Sequence, residues 1–320
     1  MQIWRFVNDR LETLSLDEMD TYLQAPGEAL WIDLKVEEID VLHRLQQRLS
    51  FHPLAIEDTQ NRHQRPKVDE YEDHLFFIAN PLRLMDDEYL FRELDIFLGR
   101  TYIVTVHQDL DDVIQEALRR INYRSTFRHP STEYVLYVLF DTIVDAYGPI
   151  LNEIDEQIEQ LSEQVLHKPD QGILEQVLSL QQALNEIWRV VEQERDLLHV
   201  LQHHKEDLLV YHDVLEYYLR DVYDHLIRIS NTSILLRENL ASLINVYLSS
   251  TSNRLNFVVN RLTIITIMIG VLTVVSGFYG MNFEQTFPPF GTEWGVPFAL
   301  GLMAFIMLGL LLIFRRMRLY

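Results

Sequence analysis

Two stretches near the C-terminal end of this 320-residue chain are long, apolar and free of charge. Residues 262–281 read LTIITIMIGVLTVVSGFYGM, and residues 295–314 read GVPFALGLMAFIMLGLLLIF. Each supplies the roughly 20 apolar residues that a helix needs to cross about 30 Å of hydrocarbon. Apolar on every side, neither reads as a surface helix with one buried stripe. Upstream the pattern changes. ALWIDL (29–34), HLFFIA (74–79), LDIFLG (94–99) and TYIVTV (101–106) read as strands, the last two joined at Gly99-Arg100. VEEIDVLHRLQQRL (36–49) and LDDVIQEALRRI (110–121) place their apolar residues at helical spacing.

These patterns predict an α/β domain over residues 1–130, a sheet flanked by helices. Residues 131–207 then read as long antiparallel helices, opened by Ser131 or Thr132 as a cap and interrupted at HKPDQG (167–172). No Gly or Pro occurs between Gly172 and Gly270, and a fold-back is expected near HHKED (203–207). Residues 208–281 are expected to form one helix of roughly 110 Å, a stalk that continues into the first span. Leu215, Leu219, Val222, Leu226 and Ile229 recur near the heptad period, so the stalk should pack against partner helices. A short loop (282–294), the second span (295–314) and a basic tail (315–320) complete the chain.

Charge sets the orientation. The chain has 27 Lys+Arg against 48 Asp+Glu, a formal charge of −21, which excludes the basic face that nucleic acid requires. Arg254 and Arg261 precede the first span, and Arg315, Arg316 and Arg318 follow the second. The connecting loop carries Glu284 and Glu293 and no basic residue. The positive-inside rule therefore places both termini in the cytoplasm and the loop outside, in a multi-pass protein of the plasma (inner) membrane. No secretory leader is expected from MQIWRFVNDRLE. With no cysteine, any metal must be bound by oxygen or imidazole.

Along the first span, Asn256, Val259, Leu262, Thr266, Gly270, Thr273, Gly277 and Gly280 follow one another at intervals of three or four, along one helix face. Small residues on such a face can simply let helices approach closely. Here two hydroxyls share the line and an amide stands at each end, Asn256 and Asn282. Val259 and Leu262 interrupt it as a hydrophobic gate that works by dewetting would. Amide and carbonyl oxygens without fixed charge suit a hard cation that keeps most of its water. Glu284 and Glu293 outside would concentrate cations. Two spans cannot enclose a polar path, so transport requires a homo-oligomer in the lipid bilayer.

YGMNF (279–283) at the end of the first of two C-terminal spans resembles the signature of the CorA family of magnesium and cobalt transporters. The resemblance extends through HQRPKVDEYEDHLFFI (63–78), YLRDVYDHLIRI (218–229) and VYLSSTSNRLN (246–256), essentially the whole chain. It implies a funnel-shaped homopentamer whose first spans line the pore. Gly280, Met281 and Asn282 would then form the outer filter, Thr273 a deeper polar ring, and Asn256 the cytoplasmic mouth. It also implies regulation by intracellular Mg²⁺ bound between subunits, with Asp221 facing the acidic turn Asp86-Asp87-Glu88 of a neighbour. The chain departs from the family pattern after GMNF, where EQTFPPFGTEWG replaces Met-Pro-Glu-Leu. It departs again at Gly270, Val271, Asn245 and Val259.

The leading expectation is thus channel-like transport of Mg²⁺, with Co²⁺ or Ni²⁺ as further substrates, driven by membrane potential and gated by internal Mg²⁺. A zinc transporter of the same superfamily is the nearest alternative, although no histidine lies in either span or the outer loop. A membrane-anchored coiled-coil scaffold or sensor is the other. No nucleotide loop, nucleophile elbow or zinc-protease helix points to an enzyme.

Overall fold

The computed structural model describes residues 1–7, 10–23, 29–85, 88–123, 131–167, 170–203, 212–281 and 293–316. It divides into two compact units. The first comprises Met1–Leu161 with Glu175–Ala241, and the second Ser162–Leu174 with Ser242–Tyr320.

Among the described residues the first unit contains nine strands: β1 (Gln2–Val7), β2 (Arg10–Thr13), β3 (Leu30–Lys35), β4 (Lys67–Glu70), β5 (Leu75–Ala79), β6 (Leu82–Met85), β7 (Glu88–Phe91), β8 (Leu94–Leu98) and β9 (Tyr102–His107). Seven form one sheet in the order β2-β1-β3-β9-β8-β5-β4, and β6 and β7 form a separate hairpin. Among the described residues, β3 and β9 pair in parallel and the other pairs are antiparallel. The four strands read from sequence are β3, β5, β8 and β9. Their near-continuous apolar runs fit burial on both faces. The short edge strand β4, KVDE, escaped that reading because charge there protects an open edge instead of filling a core.

Helices α1 (Leu16–Leu23), α2 (Ile39–Leu49), α3 (Pro53–Asn61) and α4 (Asp111–Tyr123) accompany the sheet. Polar residues inside the buried strands answer one another. Thr105 Oγ1 donates to Asp33 Oδ1 at 2.6 Å and accepts from Trp31 Nε1 at 3.1 Å. His107 Nδ1 accepts from the Leu110 backbone at 3.2 Å, so Nε2 carries the proton it directs at Asp33 Oδ2, 3.2 Å away. At the β8–β9 turn a methyl group on Gly99 would lie 2.4 Å from the Tyr102 ring, so the close approach of the aromatic demands glycine.

The long helices are α5 (Thr132–Asp145), α6 (Tyr147–His167), α7 (Gln171–His203) and α8 (His212–Tyr279). Ser131 caps α5, its hydroxyl accepting from the Tyr134 backbone at 3.2 Å. The stretch from Thr132 to Leu166 is long and apolar enough to cross a membrane, yet 67% of its apolar window is buried inside the protein. It is a core element. Of the fold-back expected at 203–207, His203 ends α7 and residues 204–207 lie outside the described residues.

Buried positions on α8, Leu219, Val222, Leu226, Ile229, Ser233, Leu236 and Leu240, keep a strict three-four alternation. Partners of this face are found within the same chain. Ser230 Oγ donates to Glu192 Oε1 at 2.8 Å, and the Arg237 guanidinium lies 5.2 Å from the centre of the Trp188 ring. On α7 the same alternation runs through Val177, Leu180, Leu184, Ile187 and Val191, and then places Glu194 where an aliphatic residue is expected.

Glu194 is fully buried. It accepts from Tyr147 Oη at 3.1 Å and from the Asn80 backbone at 3.4 Å, tying α7 to α6 and to the end of β5. Burial pushes its carboxyl up to about 8 from an ordinary value of 4.5. Between those values the folded chain holds a proton that the unfolded chain releases, so this group makes stability fall as pH rises from 4.5 through 8. We predict that Glu194→Gln removes a pH slope approaching about 1.4 kcal/mol per unit within that window. Thermal melts of both proteins from pH 6 to 9 measure it, and the variant should be the more stable at pH 8.5. Parallel pH profiles would show that Glu194 is ionised throughout.

Candidate functional site

Backbone hydrogen bonds within one helix let α8 pass from one solvent to another without a break, since every amide is satisfied locally. The most apolar windows of α8 and of α9 (Gly295–Arg316) are entirely unburied within the chain, unlike that of α5–α6. In the second unit α8 has two contrasting faces. Asn260, Ile264, Met268, Val271, Val275 and Tyr279, four or three residues apart, are buried or half-buried. Asn256, Val259, Leu262, Thr266, Gly270, Thr273, Gly277 and Gly280 are all exposed. At about 100° per residue the second set lies on the side opposite the first. Among the described residues, the stripe read from sequence lies within the uncovered part of α8, which also includes the apolar Ile265, Ile269, Leu272 and Val274.

Its chemistry is specific. Thr266 Oγ1 donates to Leu262 O at 2.8 Å, and Thr273 Oγ1 to Ile269 O at 2.9 Å. With their protons committed to the helix, both hydroxyls turn only acceptor lone pairs outward. A methyl group at Gly270 or Gly277 would meet nothing within 4 Å. These glycines make no close contact within the chain. Val259 and Leu262 remain 49% and 63% exposed, a hydrophobic belt on an otherwise small and polar line.

At the end of the stripe α8 closes at Tyr279. Gly280 N donates to Ser276 O at 2.9 Å and to Gly277 O at 3.2 Å, and Met281 N to Phe278 O at 3.3 Å. The negative end of the helix dipole thus points toward Met281, which is exposed. Asn282 and Glu284 lie outside the described residues. Glu293 is exposed in the turn before α9, and α9 extends through Arg315 and Arg316.

The expected regulatory residues are only partly brought into view. Asp86 and Asp87 lie outside the described residues, and Glu88 is exposed at the start of β7. Asp221 is exposed on α8, its Oδ1 3.9 Å from Nε2 of His225 one turn later. His225 Nδ1 in turn lies 4.0 Å from Asp145 Oδ1 on α5. Asp141, Asp145 and His225 offer ligand atoms within 4.8 Å of one another, a convergence that sequence reading missed. Residues 80 positions apart leave no spacing signal. Arg120 already serves both carboxylates, with Nη1 2.8 Å from Asp141 Oδ2 and 2.7 Å from Asp145 Oδ2. Burial raises the Asp141 carboxyl above its ordinary value, and the charge on Asp145 adds to that effect.

The family model described as CorA-like Mg²⁺ transporter protein matches residues 26–316. The cobalt/magnesium transport protein CorA of Thermotoga maritima is 33% identical over 293 residues, which cover 89% of this chain and 82% of that protein. A protein of the same name from Methanocaldococcus jannaschii is 24% identical over 290 residues, covering 90% of each. The complete structure of the CorA magnesium transporter from M. jannaschii has the same fold. Its TM-score is 0.84 at 22% identity, covering 99% of this chain and 98% of that one.

The two faces of α8 can be told apart chemically, because the chain has no cysteine of its own. Thr273→Cys and Gly277→Cys should react with a membrane-impermeant, water-soluble thiol reagent in reconstituted protein, and Val271→Cys and Val275→Cys should not. Failure of all four would mean that the exposed face meets lipid.

Proposed function

The chain belongs to the CorA-like Mg²⁺ transporter family, and on that premise we propose that it carries divalent cations across the membrane. Mg²⁺ is the first substrate and Co²⁺ and Ni²⁺ are further ones. One observation carries this reading. A line of small residues and hydroxyl acceptors, with the Asn256 amide, lies exposed along α8 among apolar positions, although a lipid-facing surface should be uniformly apolar. Several copies, five by resemblance, bring these faces together around a path that neither span could enclose alone. The names of the relatives, cobalt/magnesium transport proteins, agree with the choice of ion.

In this assembly Gly280, Met281 and Asn282 form the outer filter. Helix C-termini and the Asn282 amides present oxygen to an ion that keeps much of its hydration shell. Glu284 and Glu293 raise its local concentration. Thr273 and Thr266 continue the line of acceptors across Gly270 and Gly277, and Asn256 receives the ion at the cytoplasmic mouth. Val259 and Leu262 close the path when water leaves the belt they form. The driving force is the membrane potential, about 2.3 kcal/mol per charge per 100 mV and so about 4.6 kcal/mol for a divalent ion. Internal Mg²⁺ regulates the path through Asp221 and the turn Asp86-Asp87-Glu88 of a neighbouring copy.

Potential-driven Mg²⁺ entry into proteoliposomes containing a magnesium-sensitive dye tests the reading. Asn282→Ala should reduce uptake at least about tenfold, a loss of roughly 1.4 kcal/mol at the filter. Asp221→Asn should leave uptake intact while moving its inhibition to higher internal Mg²⁺. Entry of Zn²⁺ without Mg²⁺ would reassign the ion to the zinc branch. No entry of either ion in oligomeric, folded protein would favour a scaffold.

A further inference from the structure

A cavity of about 370 Å³ lies in the first unit between the β6–β7 hairpin, the connection after α3 and one side of α7. Its size is in the range of small-molecule sites. Three of its features have no role in ion transport. Arg65 and Arg189 stand exposed at its edges, and among the described residues neither has an ion pair or a hydrogen bond. Asn80 Nδ2 donates to Gln64 O at 3.0 Å, which fixes the amide, and its Oδ1 is buried without any donor. Tyr89 and Phe91, two residues apart on β7, are half-buried on the same face of the hairpin and line the cavity.

Each feature calls for a different part of one ligand. A buried amide oxygen without a donor is costly and is satisfied by an N–H group. Aromatic side chains offer stacking surface to a planar ring. Free guanidiniums match phosphate oxygens in a bidentate geometry. An aromatic heterocycle with an amine and a phosphate meets all three demands. We propose that this cavity binds a nucleoside monophosphate, with the base amine on Asn80 Oδ1, the ring against Tyr89 and Phe91, and the phosphate on Arg65 and Arg189. Glu186, also at the edge, opposes the higher charge of a triphosphate. Glu93, the other acidic lining residue, accepts from the Gln64 backbone through Oε2 at 2.6 Å, while its buried Oε1 lies 3.8 Å from Arg62 Nε without a hydrogen-bond donor.

Bound there, the nucleotide would brace the β6–β7 hairpin. The binding test does not depend on ion transport, so the two readings can fail separately. Calorimetric titration of the purified full-length protein with AMP, adenosine and inorganic phosphate decides the matter. AMP should bind saturably, at least about tenfold more tightly than adenosine or phosphate. Arg65→Ala/Arg189→Ala should weaken AMP by a similar factor at an unchanged melting temperature without ligand, because both side chains are exposed and unpaired. Absence of saturable AMP binding overturns the proposal. So does phosphate binding as tightly as AMP, or undiminished AMP binding by the double variant.

Discussion

A helix that satisfies its own backbone hydrogen bonds is the constraint on which this architecture depends. Hydrocarbon offers no partner for a free amide or carbonyl, so the chain can leave water only as an unbroken helix. The absence of Gly and Pro from 173 to 269 makes that possible, and α8 runs 68 residues from His212 to Tyr279. Along one element the environment changes while the backbone does not. Near Asp221 its buried stripe is a heptad seam packed within the chain. Near Thr273 only a narrow line through Val271, Val275 and Tyr279 is half-buried, and the rest of the helix is exposed.

That open face has a physical cost unless it is filled. Small and polar side chains contribute little to lipid solvation, and the hydroxyls of Thr266 and Thr273 donate only to their own helix. The proposed assembly gives this face water and cations as its solvent. In the first unit several buried polar groups are instead paired within the fold. Asp33, Thr105, Trp31 and His107 satisfy one another across β3 and β9, and Glu194 stays protonated in its seam near neutral pH. Arg120 plays the equivalent part for Asp141 and Asp145, neutralising the carboxylates that could otherwise converge on a metal.

Burial on two faces leaves a local trace, as does crossing a membrane, because both need uninterrupted apolar composition. For that reason the four central strands and the two apolar C-terminal helices were legible in the residues. So was the start of α5, where Ser131 caps the helix. The edge strand β4 and the hairpin β6–β7 were not, since their residues answer to solvent and to neighbours distant in sequence. Apolar heptads on α8 left open which helix they meet; contacts at Glu192 and Trp188 identify α7 of the same chain.

By itself, then, the sequence determined where the chain is apolar, where its helices stop and which side of the first span is polar, because these depend on neighbours within a turn or a strand. Only the tertiary structure decided what each group meets. It set His225 beside Asp145, put Arg120 between two acids, aimed Asn80 Oδ1 at no donor and left the α8 stripe uncovered. Such relations join positions tens of residues apart, and no local periodicity encodes a distance that only packing can fix.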